Sequence, residues 1–369
     1  MKNEVNVDAI YQGAPIGPVA NAMAGAGGML DIGRMRPYVD SKGRPRFVAT
    51  TNQRDEKGNR IVIPRPAFNA VLRKDEWKEY DTVVREAALE RLTAVEDLES
   101  RNLTHNISNG FGKTVLEYED ESELQDAQIS MDGLTRGQND RPEYTMKYLP
   151  LPIVHKDFHI NARVLEASRT TGAPLDTGTA EKASRKCAEY LENMVMNGPG
   201  SSTYAFGGGT VYGYTNFPQR ITGSLTDNWD DMKDNSLGSP GEQIIADVLT
   251  MRQASIDALH RGPWMLYIPT NYEKTIDEDY VTGYPKTIRQ RIKEIGGIED
   301  VKVSDKLAAD NVVLVQMSTD VVRLVTGMPM TTIQWGVEGN MSFNFKVMVI
   351  KVPQLRADDN GNTGIVHYS

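Results

Sequence analysis

The chain holds a single cysteine, Cys187, in 369 residues. It cannot close an intrachain disulfide, which excludes the stapled framework of small secreted domains. No apolar run approaches the roughly 20 residues that cross a bilayer. The opening residues, Met1-Lys2-Asn3-Glu4-Val5-Asn6-Val7-Asp8, lack the basic-then-apolar layout of a secretory signal. These absences lead to the expectation of a soluble protein made in a reducing cytoplasm, with no membrane partner.

Motifs of catalysis are also missing. There is no Gly-x-Ser-x-Gly elbow, and Cys187 lies on an apolar helix face without a nucleophile's surroundings. Gly112-Lys113-Thr114 imitates the end of a phosphate-binding loop, but that loop needs glycine five positions before Gly112, and Ile107 stands there. His155 and His159 have a spacing that suits zinc on a helix. Lys156-Asp157-Phe158 between them read as a strand-to-turn segment, and no third ligand is evident. Asp230-Asp231 and Glu278-Asp279 are adjacent carboxylates of a common surface kind. Gly207-Gly208-Gly209 reads as a floppy hairpin tip rather than a ligand cradle. No cofactor, metal or catalytic residue is assigned, and assembly explains more of the chain than turnover does.

What is present begins with charge. The net charge of −9 argues against general nucleic-acid binding, yet it is unevenly spread. Residues 1–74 carry +6 and the remainder −15. A basic arm precedes an acidic body. Such an arm is either a solvated tail or a strap that docks on an acidic neighbour or on DNA phosphates, with Arg34, Arg36, Arg44, Arg46 and Arg54 as its contacts.

The length exceeds one ordinary core, so two lobes are expected. Residues 1 to about 66 are rich in Gly, Pro, Ala and Arg and follow no periodic pattern, apart from a small hairpin of Val48-Ala49-Thr50 with Ile61-Val62-Ile63. Asp75 to Leu98 keeps helical spacing through Trp77, Tyr80, Val84, Ala87, Ala88, Leu92, Val95 and Leu98. Thr114–Tyr118 and Tyr144–Tyr148 then alternate like two strands around a charged tip. Glu117, Glu119, Asp120, Glu121, Glu123, Asp126, Arg136 and Arg141 belong to this hairpin. It has no core of its own and is marginal in isolation, so it is expected to rest on another subunit.

The organising stretch runs from Tyr148 to Asn216. Two prolines in Tyr148–Val154 impose extended geometry, expected as a sheet-edge strand. A short helix over Val164–Arg169 and a turn to Asp176 follow. From Thr177 to Asn197 the residues Ala180, Ala183, Cys187, Leu191, Met194 and Val195 share one helix face, and Asn197-Gly198 ends it. Further on, Ser239-Pro240-Gly241-Glu242 is a capping-box start for a helix that Gly262 stops. Strands at 264–268, 301–303, 312–315 and 321–325 alternate with helices near 272–280 and 285–295. A last long strand, Ser342–Val352, carries Phe343 and Phe345 and returns beside the long helix. Phe158, Cys187, Leu191, Met194, Phe343 and Phe345 are the expected structural core. Beyond Arg356 the chain reads as turn and terminus.

This order of a proline-bearing strand, an Asp-Phe step (Asp157-Phe158), a short helix, a Gly-x-Pro-Leu-Asp turn (Gly172–Asp176), a long helix ending in Asn197-Gly198 and a Gly-Tyr-x-Asn step (Gly213–Asn216) resembles the major capsid proteins of tailed double-stranded DNA bacteriophages and the encapsulins. The resemblance implies an α+β tailed-phage major capsid fold. Its parts would be an N-terminal arm (1–74), an amphipathic helix and turn (75–112), an extended hairpin loop (113–148), a peripheral domain with a long spine helix (149–216), an axial domain (217–335), and a return strand with the C-terminal tail (336–369).

The implied function is structural: hexamers and pentamers in an icosahedral shell around non-specifically held double-stranded DNA, synthesised in a host cytoplasm and located in the virion capsid. Portal, scaffold and cementing proteins are implied partners. The alternatives are an encapsulin-type compartment shell around cargo enzymes and a soluble α+β enzyme. The long basic arm before Asp75 favours the virus, since encapsulin chains enter their first helix sooner.

Overall fold

The computed structural model describes residues 35–369 apart from 55–59, 67–71, 90–91, 109, 123–130, 132–140, 172–176, 201–203, 233–238, 282–285 and 339–340. Arg34, the tip residues Glu123, Asp126 and Arg136, and the turn before Thr177 lie outside the described residues.

In chain order the elements are β1 (Tyr38–Val39), β2 (Pro45–Arg54), β3 (Arg60–Pro66), α1 (Lys74–Leu89), α2 (Ala94–Ser100) and β4 (Thr104–Asn106). Next come β5 (Val115–Glu121), β6 (Tyr144–Pro150), β7 (Val154–Asn161), α3 (Ala162–Thr171), α4 (Gly178–Asn197), β8 (Tyr204–Phe206), β9 (Gly209–Val211) and β10 (Ile221–Gly223). The chain closes with α5 (Pro240–Asp257), β11 (Trp264–Pro269), α6 (Glu273–Ile276), α7 (Ile288–Lys293), β12 (Ile298–Ser304), β13 (Val312–Gln316), β14 (Val322–Glu338), β15 (Ser342–Leu355) and β16 (Ile365–Tyr368). These divide into two compact units: residues 1–114, 151–195 and 324–353, and residues 115–150, 196–323 and 354–369.

The first unit holds the sheet β1-β2-β3 and the sheet β4-β14-β15-β7. β7 and β15 are antiparallel from Val154↔Val349 to Asn161↔Ser342. The proline segment therefore divides differently from the expectation of one edge strand. Tyr144–Pro150 pairs with β5, residues 151–153 are not strand, and β7 starts at Val154. The apolar stripe of α4 is buried as its spacing requires, with Cys187, Leu191 and Met194 almost fully covered. Each such side chain contributes about 1.5–3 kcal/mol of burial. Cys187 Sγ lies 4.0 Å from the Val347 carbonyl, so α4 packs along β15. Burial pushes the Cys187 thiol up to about 12. Phe345 stacks on Phe158 at 5.4 Å and meets the edge of Trp77 at 5.9 Å. Phe343, opposite Ile160, is half-buried.

The helix expected over 75–98 is two helices. Its second part starts anew at Ala94 because the buried Glu192 carboxylate of α4 accepts the backbone N–H groups of Thr93 (3.2 Å), Ala94 (2.8 Å) and Val95 (3.3 Å). A carboxylate at these orphan amides caps α2 from a distant part of the chain.

The second unit is built on the mixed sheet β10-β16-β13-β11-β12. The C-terminal residues hold the expected turn, Gly361 N–H donating to the Asp358 carbonyl at 3.0 Å, and then a strand that the reading as terminus missed. β16 is fully buried, paired parallel to β10 and antiparallel to β13. Ile244, Val248, Met251, Leu266, Ile292, Leu314 and Val366 form one core with Trp229 and Trp264. α5 starts as its capping box predicts, Ser239 N–H donating to Glu242 Oε2 at 2.9 Å. It ends at Asp257 rather than before Gly262, and Leu259 takes the left-handed turn (φ 66°). The two helices expected near 272–280 and 285–295 shorten to α6 and α7.

Candidate assembly surfaces

The β5–β6 ribbon pairs Val115 with Pro150 through to Glu121 with Tyr144. Residues opposite one another share a face, so the ribbon has two distinct sides. On one, Asp120 pairs with Lys147, the Arg356 guanidinium lies 5.9 Å from the Tyr118 ring, and Leu149 is buried. That side is satisfied within the chain. On the other, Glu117 and Glu119 flank Tyr148 and Met146, and Tyr144 continues the row. All five are exposed. An apolar row edged by carboxylates faces solvent.

The glycine run covers the base of this second side. Gly207 and Gly208 take positive φ (59° and 84°), as a two-residue hairpin turn requires, and β8 pairs with β9 across them. A Cβ on Gly209 would lie 2.0 Å from the Tyr148 carbonyl oxygen, and one on Gly207 2.6 Å from Val115. The run is thus a close-packing device rather than a floppy tip. The hairpin adds two further exposed aromatics, Tyr204 and Phe206.

The arm arginines have unequal surroundings. Arg36 is buried: its guanidinium meets the Asp81 carboxylate at 2.6 Å and lies 4.6 Å over the Trp77 ring, and Trp77 Nε1–H donates to the Pro37 carbonyl at 2.9 Å. Its shielding is intrachain. Burial raises the Asp81 carboxyl to about 6 despite Arg36. Arg44 and Arg46 stand 3.1 and 3.6 Å from Asp40, whose carboxyl is held low, chiefly by the Arg44 backbone N–H. Arg54 ends β2, its backbone paired with Arg60. Arg141, beyond the far end of β6, is exposed.

His155 and His159 both lie on the exposed face of β7, four residues apart on a strand. That is about 13 Å along the chain, too far to share one ion. His155 instead stands 3.6 Å from Asp157. Among the described residues no three His, Cys, Asp or Glu side chains could hold a metal, and no helix is long and apolar enough to cross a membrane. Gly112-Lys113-Thr114 forms an exposed turn into β5.

Residues 67–368 match a family of unknown function, DUF6260. The chain belongs to that family. It is similar to the type 1 encapsulin shell protein EncA of Myxococcus xanthus, 26% identical over 216 residues that make up 58% of this chain and 67% of that protein. Among solved structures it is similar to a virus-like particle from Pyrococcus furiosus (TM-score 0.57, 15% identity, 79% of this chain and 98% of that one). It is also similar to the capsid of Myoviridae phage XM1 (TM-score 0.54, 8% identity, 73% and 90%) and to the capsid of a native GTA particle (TM-score 0.52, 10% identity, 75% and 90%). The fold is the α+β fold of tailed-phage capsids and encapsulin-like particles, and 90–98% of the virus-like-particle and capsid chains aligns with this one.

Proposed function

We propose that this chain is the major capsid protein of a tailed double-stranded DNA virus, assembling as hexamers and pentamers into an icosahedral shell around the genome. The β5–β6 ribbon carries the reading. A two-stranded ribbon with an apolar row open to solvent gains stability when another copy covers that row. Residues 113–148 act as the intersubunit loop, 1–74 as the arm, 149–216 with 336–369 as the peripheral domain, and 217–335 as the axial domain. The chain works by association, not catalysis. The +6 balance of residues 1–74 supports the viral reading, because an arm of that sign suits an acidic neighbour or enclosed phosphates. Portal, scaffold and cementing proteins are the partners this reading implies, and the virion its location after synthesis in the host cytoplasm.

The likeness to EncA favours a second reading, a compartment shell around cargo enzymes. Electron microscopy of the purified full-length chain, with analysis of particle contents, separates them. Nuclease-protected DNA inside shells agrees with the virus, and a co-purifying enzyme without DNA agrees with the compartment. A subunit that forms no particle at any concentration contradicts both.

A further inference from the structure

A donor-rich corner lies where β14 begins and β15 ends. The Arg356 N–H donates to the Val321 carbonyl at 2.9 Å, which extends the strand ladder past Leu355. That register sets Arg323 opposite Gln354 and puts the side chains of Arg323, Gln354 and Arg356 on one side of the strand pair. Arg323 Nε donates to Gln354 Oε1 at 2.5 Å. A guanidinium can only donate, so the amide oxygen must face it and Nε2 turns the other way. Gln354 is 1% exposed, and its Nε2 has no acceptor.

The two arginines lack acceptors of their own kind. Among the described residues neither has a carboxylate within ion-pair distance, and Arg356 leans on the Tyr118 ring. Both are part-buried. Burial, then the charge of Arg356, depresses the Arg323 pKa. Two neighbouring cations and a buried amide donor without an acceptor are costly unless a group with several lone pairs completes them.

We infer that Arg323, Gln354 and Arg356 form an oxyanion-binding site that takes a carboxylate or a phosphate group. The oxyanion comes from one of two sources: free phosphate, or a carboxylate side chain of a second copy, such as the exposed Glu117 or Glu119. The second source rests on the shell reading above, whereas the site itself does not.

The test compares thermal unfolding of the full-length chain in sodium phosphate and in sodium chloride of equal ionic strength, on size-separated subunit and particle fractions. Phosphate is expected to raise the wild-type subunit midpoint by several degrees over chloride. Arg356→Gln is expected to remove that difference. Gln354→Glu, which supplies a carboxylate in place and keeps the acceptor for Arg323, is expected to fold and to be indifferent to phosphate. A shift in both fractions assigns free phosphate. A shift in subunits alone assigns a carboxylate of a second copy, buried on assembly. If no particles form, the subunit result still decides the site, and only the shell reading fails. No phosphate shift in wild-type subunits overturns the proposal, as does a shift retained in both variants. Where only particles are recovered, it is overturned if phosphate has no effect on them and Arg356→Gln leaves their stability unchanged.

Discussion

Glu119 stands directly opposite Met146 across the β5–β6 ribbon, and both side chains are exposed. A thioether beside a carboxylate contributes little to a lone subunit, and the proposed shell would give it a partner surface. Met146→Asp sets a second carboxylate opposite Glu119 and should cost the subunit no more than about 1 kcal/mol, the scale of a like-charge pair across two strands. The same change should abolish particle formation, read by sedimentation. Deleting Glu119–Arg141 should act likewise, leaving a folded, soluble subunit. Normal particles from either variant would remove the ribbon from assembly.

The α4 stripe makes an opposite prediction. Leu191 is 2% exposed, and Leu191→Asp would bury an unpaired charge at a cost of about 3–5 kcal/mol. The unfolding midpoint should fall sharply before any question of assembly arises. An unchanged midpoint would mean that the buried face is misassigned.

Gly209 ties the β8–β9 hairpin to the ribbon base. In Gly209→Ala the new methyl would meet the Tyr148 carbonyl oxygen at 2.0 Å, backbone that cannot swing aside. A loss of about 1–3 kcal/mol is expected, typical of overpacking. Limited proteolysis should cut near Tyr148 faster than in wild type, and equal rates would show that the hairpin is not seated there.

His367 gives the second unit an acid-sensitive element. It is buried in β16, where Arg220 Nε donates to Nδ1 at 3.2 Å, so Nε2 carries the proton and donates to Asn311 Oδ1 at 2.7 Å. Burial, with Arg220 adding to it, lowers its pKa from 6.5 to about 4. The folded state therefore refuses a proton that the unfolded chain accepts. Stability from this group is complete above about 6.5, falls as the pH drops, and levels off below about 4, a loss of roughly 3 kcal/mol at most. His367→Gln should flatten that part of the pH–stability curve. A curve of the same slope would exclude His367 as its source.

Legibility in the sequence followed the range of the interactions. α4 was readable to within a residue because its apolar stripe and its Asn197-Gly198 end are local, and the Ser239–Glu242 box was readable for the same reason. The break between α1 and α2 was not, since the carboxylate that caps Ala94 belongs to Glu192, ninety-eight positions away. Arg36 reads as one arm cation among five until Asp81, forty-five positions on, is seen to receive it. β16 is four residues long, too short for periodicity to separate from a tail, and its partners β10 and β13 precede it by many residues. Arg323, Gln354 and Arg356 carry no motif. Only the β14–β15 register brings them to one side.

Whether this chain closes into a shell is read from negative-stain electron microscopy of the purified protein. Closed particles of uniform diameter with five-fold vertices are expected, lost in Met146→Asp while the subunit stays folded. A wild-type protein that remains a monodisperse monomer or small oligomer across concentration and salt would contradict the shell reading.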